Sequence, residues 1–265
     1  MNKKTVMMGL MVKNGARWLP TLWEQLKKLT YPKENVRIVV EYGKSRDNTL
    51  KLLKRMAKEK VYKIEIYREP NDSEIKKFGT YLAKAIWHDW QKLLKEDYFL
   101  LMDCDLVELP EDLIQQLMKV KADIVAPYIW SEKHRHFYDT FMFRINNMSF
   151  SPNDPPGMGL DKPIEVDSVG TVFLANREVF LSSKITNPYP HITLCINARV
   201  NGYKVVACPF IEVIHKDLEK LGIFHKPAPP RFGLYPSPGL VTSKFPVKVF
   251  NPNKKEEVKK VVFDV

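Results

Sequence analysis

Cysteine is scarce: Cys104, Cys195 and Cys208 are the only three in 265 residues. They are odd in number, widely spaced and set in apolar stretches, which argues against a disulfide framework and for a reducing, cytoplasmic compartment. Long apolar runs are missing too. None approaches the ~20 residues that a membrane-spanning helix needs, so any membrane contact is expected to be peripheral. The start MNKKTVMMGLMV is basic and then apolar, but it carries no small-residue cleavage site and passes straight into KNGARWLP. It reads as a first buried strand and not as a signal peptide. Neither an RNA-binding signature nor a Cys/His zinc-finger spacing occurs, and no nucleic-acid partner is expected. Internal repeats and low-complexity segments are also absent, which leaves one α/β domain with a less regular C-terminal half as the simplest organisation.

Positive charge, by contrast, is plentiful: Lys and Arg number 42 against 31 Asp and Glu, a formal net charge of +11. Such a surface attracts polyanions such as phosphorylated small molecules or acidic lipid headgroups. The charge is spread as Lys pairs among Glu residues, so most of it reads as solvated helix faces. Beneath it runs a regular alternation. Thr5 to Val12, VRIVVEY (36–42), YKIEIY (62–67), YFLLM (98–102) and DIVAPY (123–128) read as strands. Between them lie helical patterns: WLPTLWEQLKKLT, then DNTLKLLKRMAKEK with Asp47 as its expected N-cap, a stretch from Phe78 to Leu94, and EDLIQQLMKV. This order predicts a mostly parallel, Rossmann-like sheet flanked by helices.

The second half reads differently. From Ser131 to Pro163 it is rich in aromatic, Asn, Pro and Gly residues, the composition of a long functional or mobile loop. Then come SVGTVFLA as a strand, REVFLSS as a short helix and HITLCINARVNGYKVVACP as helix, Gly turn and strand. Beyond His215 a Pro-rich tail is expected, either laid over the body or acting as a lid.

The stretch YFLLMDCDLVELPEDL raises the functional question. An apolar strand covered on both faces ends on Asp103-Cys104-Asp105, at the carboxyl edge where open α/β sheets bind ligands. The i, i+2 spacing in a sharp turn lets both carboxylates approach one hard cation. A helix N-cap or a solvated loop would read the same way.

Four features in order resemble the nucleotide-sugar glycosyltransferases with a GT-A fold, the broad group that includes family 2. They are EYGKSRDNT after the second strand, the Asp-Cys-Asp turn, VDSVGTVFL, and NGYKVVACPFIEVIH ending on His215. The segments LTYPKENVRIVVEYGKSRDNT and EVDSVGTVFL look closer to the Anp1/Mnn9 mannosyltransferase branch and to procollagen galactosyltransferase domains than to typical family 2 members. The resemblance spans roughly residues 5–217. It implies one GT-A domain over 1–217, with a nucleotide-sugar-binding half (1–128), a less regular acceptor-side half (129–217) and a tail (218–265). It implies a metal-dependent hexosyltransferase using Mn²⁺ or Mg²⁺, with a GDP- or UDP-linked donor and a hydroxyl acceptor on a glycan, lipid or protein. Asp103, Asp105 and His215 would hold the metal, with Asp103 also near the ribose. Glu41 and Asp47 would approach the nucleoside, Gly170 the donor sugar, and Lys77 the diphosphate, with Lys13, Arg17 and Lys76 as further cations.

Paired acids are expected before the Gly-Tyr turn in family 2 proteins, yet Pro190 and His191 stand there. His191 is then a candidate base, since an unperturbed imidazole titrates near neutrality. Asp167 and Glu165 are others, and a retaining mechanism also fits. Trp130, His134, His136, Phe137, Tyr138 and Phe141 form either an acceptor platform or the core of that half. Two other readings compete with this one. A non-catalytic carbohydrate- or polyanion-binding module fits the missing acids and the basic surface, and the tail suits docking on an anionic membrane face. A sugar-phosphate nucleotidyltransferase needs a Gly-rich, Arg-containing loop after the first strand, where GLMVKNGARWLP offers only Gly9 and Gly15.

Overall fold

Near-continuous apolar runs make strands that are buried on both faces, and the computed structural model, which describes residues 4–68, 82–133, 135–183, 189–216 and 240–253, is built around such strands. In chain order come β1 (Val6–Val12), α1 (Leu19–Lys28), β2 (Val36–Tyr42), α2 (Thr49–Lys58), β3 (Lys63–Arg68), α3 (Leu82–Leu93), β4 (Tyr98–Asp103) and β5 (Leu106–Glu108). Next are α4 (Leu113–Lys119), β6 (Ile124–Ser131), β7 (Arg144–Ile145), β8 (Met148–Phe150), β9 (Ile164–Glu165) and β10 (Phe173–Asn176). The last are α5 (Arg177–Ser182), α6 (Pro190–Val200), β11 (Val205–His215) and β12 (Leu240–Val241).

The main sheet runs β3-β2-β1-β4-β10-β6-β11-β5, with β9 beside β11. β3, β2, β1 and β4 are mutually parallel, β6 and β11 share their direction, and β10, β5 and β9 run against them. The expected mostly parallel α/β sheet is therefore present. Chain order reverses between β1 and β4, which is the position where such sheets open a crevice for ligands. Met11 of β1 is in register with Glu41 on one side and Asp103 on the other. Two strand spacings, ~10 Å, therefore separate the backbones of those two acids.

An aromatic layer fixes α3 to this sheet. Trp87 and Trp90 are fully buried, with Trp87 within 6.2 Å of Phe99, Phe173 and Phe180 by ring centroid. Gly9 makes room for it: a Cβ there would lie 2.8 Å from the Phe99 ring and 3.1 Å from Trp90. A second aromatic core, Tyr128, Phe137, Phe143 and Phe150, underlies the other half. Phe137 is thus core, whereas Phe141 packs on Tyr189. β7 and β8 join β12 in a small separate sheet. Residues 240–253 lie along the body: Ser151 N donates to Val241 O at 2.7 Å, Glu165 N to Lys248 O at 2.8 Å and Phe250 N to Pro163 O at 2.9 Å.

Three local expectations change. α2 begins at Thr49 with Asn48 at its N-cap, so Asp47 lies one residue outside the cap position. β10 begins at Phe173, because the chain before it turns through Thr171 at φ +28°. The segment after Asp105 is a strand, β5, which no period-2 pattern of useful length could signal.

Candidate metal site

β4 ends where its partner β1 ends, and the chain turns through Cys104 and Asp105. Cys104 points away, its Sγ 3.6 Å from where a Cβ on Gly15 would sit. The chain then reverses as β5 and pairs with the far end of β11 through Ile214–Glu108 and His215–Leu106. Lys216 N donates to Asp105 O at 2.9 Å, closing the junction. This pairing carries His215 across more than a hundred residues of sequence to the two acids. Its Nε2 lies 2.9 Å from Asp105 Oδ1 and 4.0 Å from Asp103 Oδ2. One ligand atom from each of the three residues falls within 4.8 Å of the others.

His215 is 1% exposed, and Tyr138 stacks on its ring at 3.7 Å. Its Nδ1 sits 2.8 Å from Lys216 O, which fixes Nδ1 as the donor and turns Nε2 toward the acids. Burial works against charge on this ring, but its hydrogen bond to Asp105 and the charges of Asp105 and Asp103 outweigh that and raise its pKa. Asp103 is pushed up to about 7 by burial and by repulsion from Asp105 and Asp139, with His215 pulling the other way. Burial pushes the buried Asp139 up to about 6 against bonds from Thr171 and the Met142 backbone. Carboxylates crowded this closely resist ionising together unless a cation joins them. A donor set of one imidazole nitrogen and two carboxylate oxygens is of the kind that holds a divalent metal ion. With its side chain 35% exposed, Asp103 leaves a side of the site open for further ligands.

The remaining candidates distribute around this point. Glu41 is 2% exposed on β2. Asp47 braces two loops: its carboxylate accepts from Thr49 N and Ala16 N, both at 3.1 Å, and from the Thr49 hydroxyl, which holds its pKa below the usual range. Asn14 N to Ser45 Oγ (3.0 Å) and Arg46 N to Asn14 Oδ1 (2.9 Å) extend this brace. Lys13 is exposed in the first of these loops. Arg17 lies over the Trp18 ring at 3.9 Å and lines a recess of about 330 Å³ with Glu108, Glu132 and Lys216. Lys76, Lys77 and His134 lie outside the described residues.

Gly170 is explained by packing, since a Cβ there would overlap Asp139 Oδ2 and Met142 Cβ. Asp167 accepts from Arg199 Nη1 and from Asn147 N at 2.7 Å, and Glu165 pairs with Lys248 at 3.0 Å. His191 was expected to titrate near neutrality; burial instead lowers its pKa to about 4. Its ring packs edge-on against Trp87 at 4.9 Å, so it joins the aromatic layer. Asp139 went unnoticed in the sequence because it is a lone acid in an aromatic loop, with no spacing to mark it.

Comparisons with known proteins bear on the family and the fold. The Anp1 family model matches residues 1–154. Procollagen galactosyltransferase 1 of Danio rerio is 25% identical over 168 residues, covering 58% of this chain and 27% of that protein, so the chain spans about a quarter of its relative's length. Among solved structures, S. aureus TarS 1–349 in complex with UDP-GlcNAc superposes with a TM-score of 0.58 at 13% identity, over 82% of this chain and 60% of that one. The Pyrobaculum calidifontis mannosyltransferase PcManGT in complex with GDP-Man and Mn²⁺ gives 0.57 at 14% identity, over 81% and 57%. At these identities the two structures speak to the fold.

Proposed function

We propose that this chain, which belongs to the Anp1 family and has the GT-A fold, is a metal-dependent glycosyltransferase. It moves a hexose from a nucleoside-diphosphate donor, GDP-mannose or a UDP-hexose, to a hydroxyl on a glycan, lipid or protein. The observation that carries the reading is the convergence of Asp103, Asp105 and His215 at the carboxyl edge of the sheet, beside the point where strand order reverses.

Asp105 and His215 would hold the cation, and Asp103 would hold it or the ribose. A bound divalent ion supplies charge neutralisation for the departing diphosphate. The chain's own side chains do the rest. His215 is locked by its Nδ1 bond and by Tyr138, so its Nε2 keeps one orientation. Glu41, two strands from Asp103, is suited to accept hydrogen bonds from the nucleoside end. The brace through Asp47 keeps the loops at that end in place. Lys77 remains the proposed diphosphate partner by resemblance.

The test is a calorimetric and thermal-shift panel of UDP, GDP, CDP and dTDP with and without Mn²⁺, on wild type and Asp105→Ala. Binding of one nucleotide only with metal, lost in the variant, is the expected result, and the preferred base narrows the donor. Failure of every nucleotide to bind under any metal condition would sink the reading.

A further inference from the structure

The recess of about 330 Å³ that Arg17 lines has walls from separate parts of the chain. Arg17 and Trp18 follow β1, Glu132 and Arg135 follow β6, and Lys216 follows β11. These strands run in one direction, so the walls stand beyond their carboxyl ends, where such sheets bind ligands. Lys216 ties the recess to the cation site: it comes directly after His215, and its N–H donates to Asp105 O at 2.9 Å.

The cations of the recess differ in what they already hold. Lys216 is paired with Glu132, whereas the guanidiniums of Arg17 and Arg135 pair with no carboxylate among the described residues. Arg17 lies over the Trp18 ring at 3.9 Å, a contact that uses its charge without taking up its N–H donors. Its turn is fixed, because Trp18 N and Leu19 N donate to Gly15 O at 2.9 and 3.0 Å and Ala16 N donates to Asp47 at 3.1 Å. Arg135 holds φ at +50°, in a turn closed by Ser131 N donating to His136 O at 2.9 Å. Bulky residues rarely adopt that conformation, and such strain clusters at ligand sites.

One guanidinium fork satisfies a carboxylate, whereas two can share the three oxygens of a phosphate. Glu108 and Glu132 in the same walls are acceptors suited to hydroxyl groups. The volume stands near the lower end of the range for small-molecule sites, about 300–1,000 Å³. We propose that this recess binds a sugar phosphate, and that this group is the part of the acceptor that carries the phosphate. The acceptor role rests on the transferase reading above; the phosphate contact needs no metal.

The probes are a hexose 6-phosphate, the parent hexose and inorganic phosphate, titrated by calorimetry into the full chain at low ionic strength without metal. The hexose phosphate is expected to bind, inorganic phosphate to bind more weakly, and the hexose not to bind. Arg17→Ala and Arg135→Ala should each weaken hexose phosphate binding by roughly tenfold, as loss of a charged hydrogen-bonding group does. Both side chains are exposed, so melting temperatures should not change. Lys28→Ala removes an exposed charge of α1 outside the recess and should bind as wild type does. Saturating nucleotide with Mn²⁺ should leave hexose phosphate affinity unchanged. A wild type that binds no hexose phosphate overturns the inference, as does an equal loss in Lys28→Ala, which would mark general surface charge. Displacement by nucleotide overturns it too, since the recess would then hold the donor's diphosphate. Inorganic phosphate binding as tightly as hexose phosphate would mark a free-anion site and remove the acceptor role. If no nucleotide binds while hexose phosphate still does, the transferase reading falls and the phosphate site stands.

Discussion

Between residues 6 and 128 the strands β1, β2, β3 and β4 pair in parallel, joined by helices that follow them closely in sequence. Between residues 129 and 216 every described strand but the eleven-residue β11 has two to four residues, and the neighbours come from far along the chain: β10 lies between β4 and β6, and β11 reaches back to β5. The first half contributes Asp103 and Asp105, the second His215 and the Tyr138 ring stacked on it. The difference teaches that the cation site lies on the seam. One half supplies the charge, and the other supplies the groups that aim it.

Four changes break or sharpen this contrast. The largest effect on ligand binding is expected from Asp105→Ala, on the charge-supplying side. Mn²⁺-dependent nucleotide binding should fall below detection by calorimetry while the fold survives, because the change also removes a source of repulsion on Asp103. Trp87→Ala strikes the helix-covered half without touching the seam. It should cost about 3–5 kcal/mol in chemical denaturation and leave Mn²⁺ affinity of the folded fraction unchanged. Gly170→Ala strikes the stitched half where it meets the seam. Overlap with Asp139, the chain neighbour of the Tyr138 that stacks on His215, should cost about 1–3 kcal/mol and, unlike Trp87→Ala, should lower Mn²⁺ affinity in the same titration. If both changes shift Mn²⁺ affinity alike, the division between halves fails.

The smallest effect concerns His191, which belongs to the second half in sequence but to the aromatic layer of the first in space. Its folded pKa, about 4, lies below the ordinary 6.5. The unfolded chain therefore takes up a proton first as pH falls. Stability that is fully present above pH ~6.5 should be lost as pH drops toward ~4. Melting temperatures measured across that window should fall less steeply in His191→Leu than in wild type. Equal slopes would mean that the imidazole is not held neutral by burial.

Legibility in the sequence followed the same division. β2 matches its apolar run residue for residue, and β1 and β4 agree within one, since continuous hydrophobicity over six or seven residues is a local signal. β5 was missed because three residues are too few to show a period, and they are a strand only by pairing with β11. β10 begins late because Gly170 and Thr171 bend around Asp139, thirty residues upstream. His191 looked titratable in sequence, where nothing near it announces Trp87.

By itself, the sequence determined where strands and helices alternate, that two acids stand at the end of a doubly covered strand, and that a histidine closes the last one. Hydrophobic periodicity and residue order carry that information, and both are local. Only the tertiary structure decided that those three side chains share one space and that Asp47 is a brace between loops. Distances, burial and mutual repulsion of charges exist only once segments far apart in sequence have been brought together.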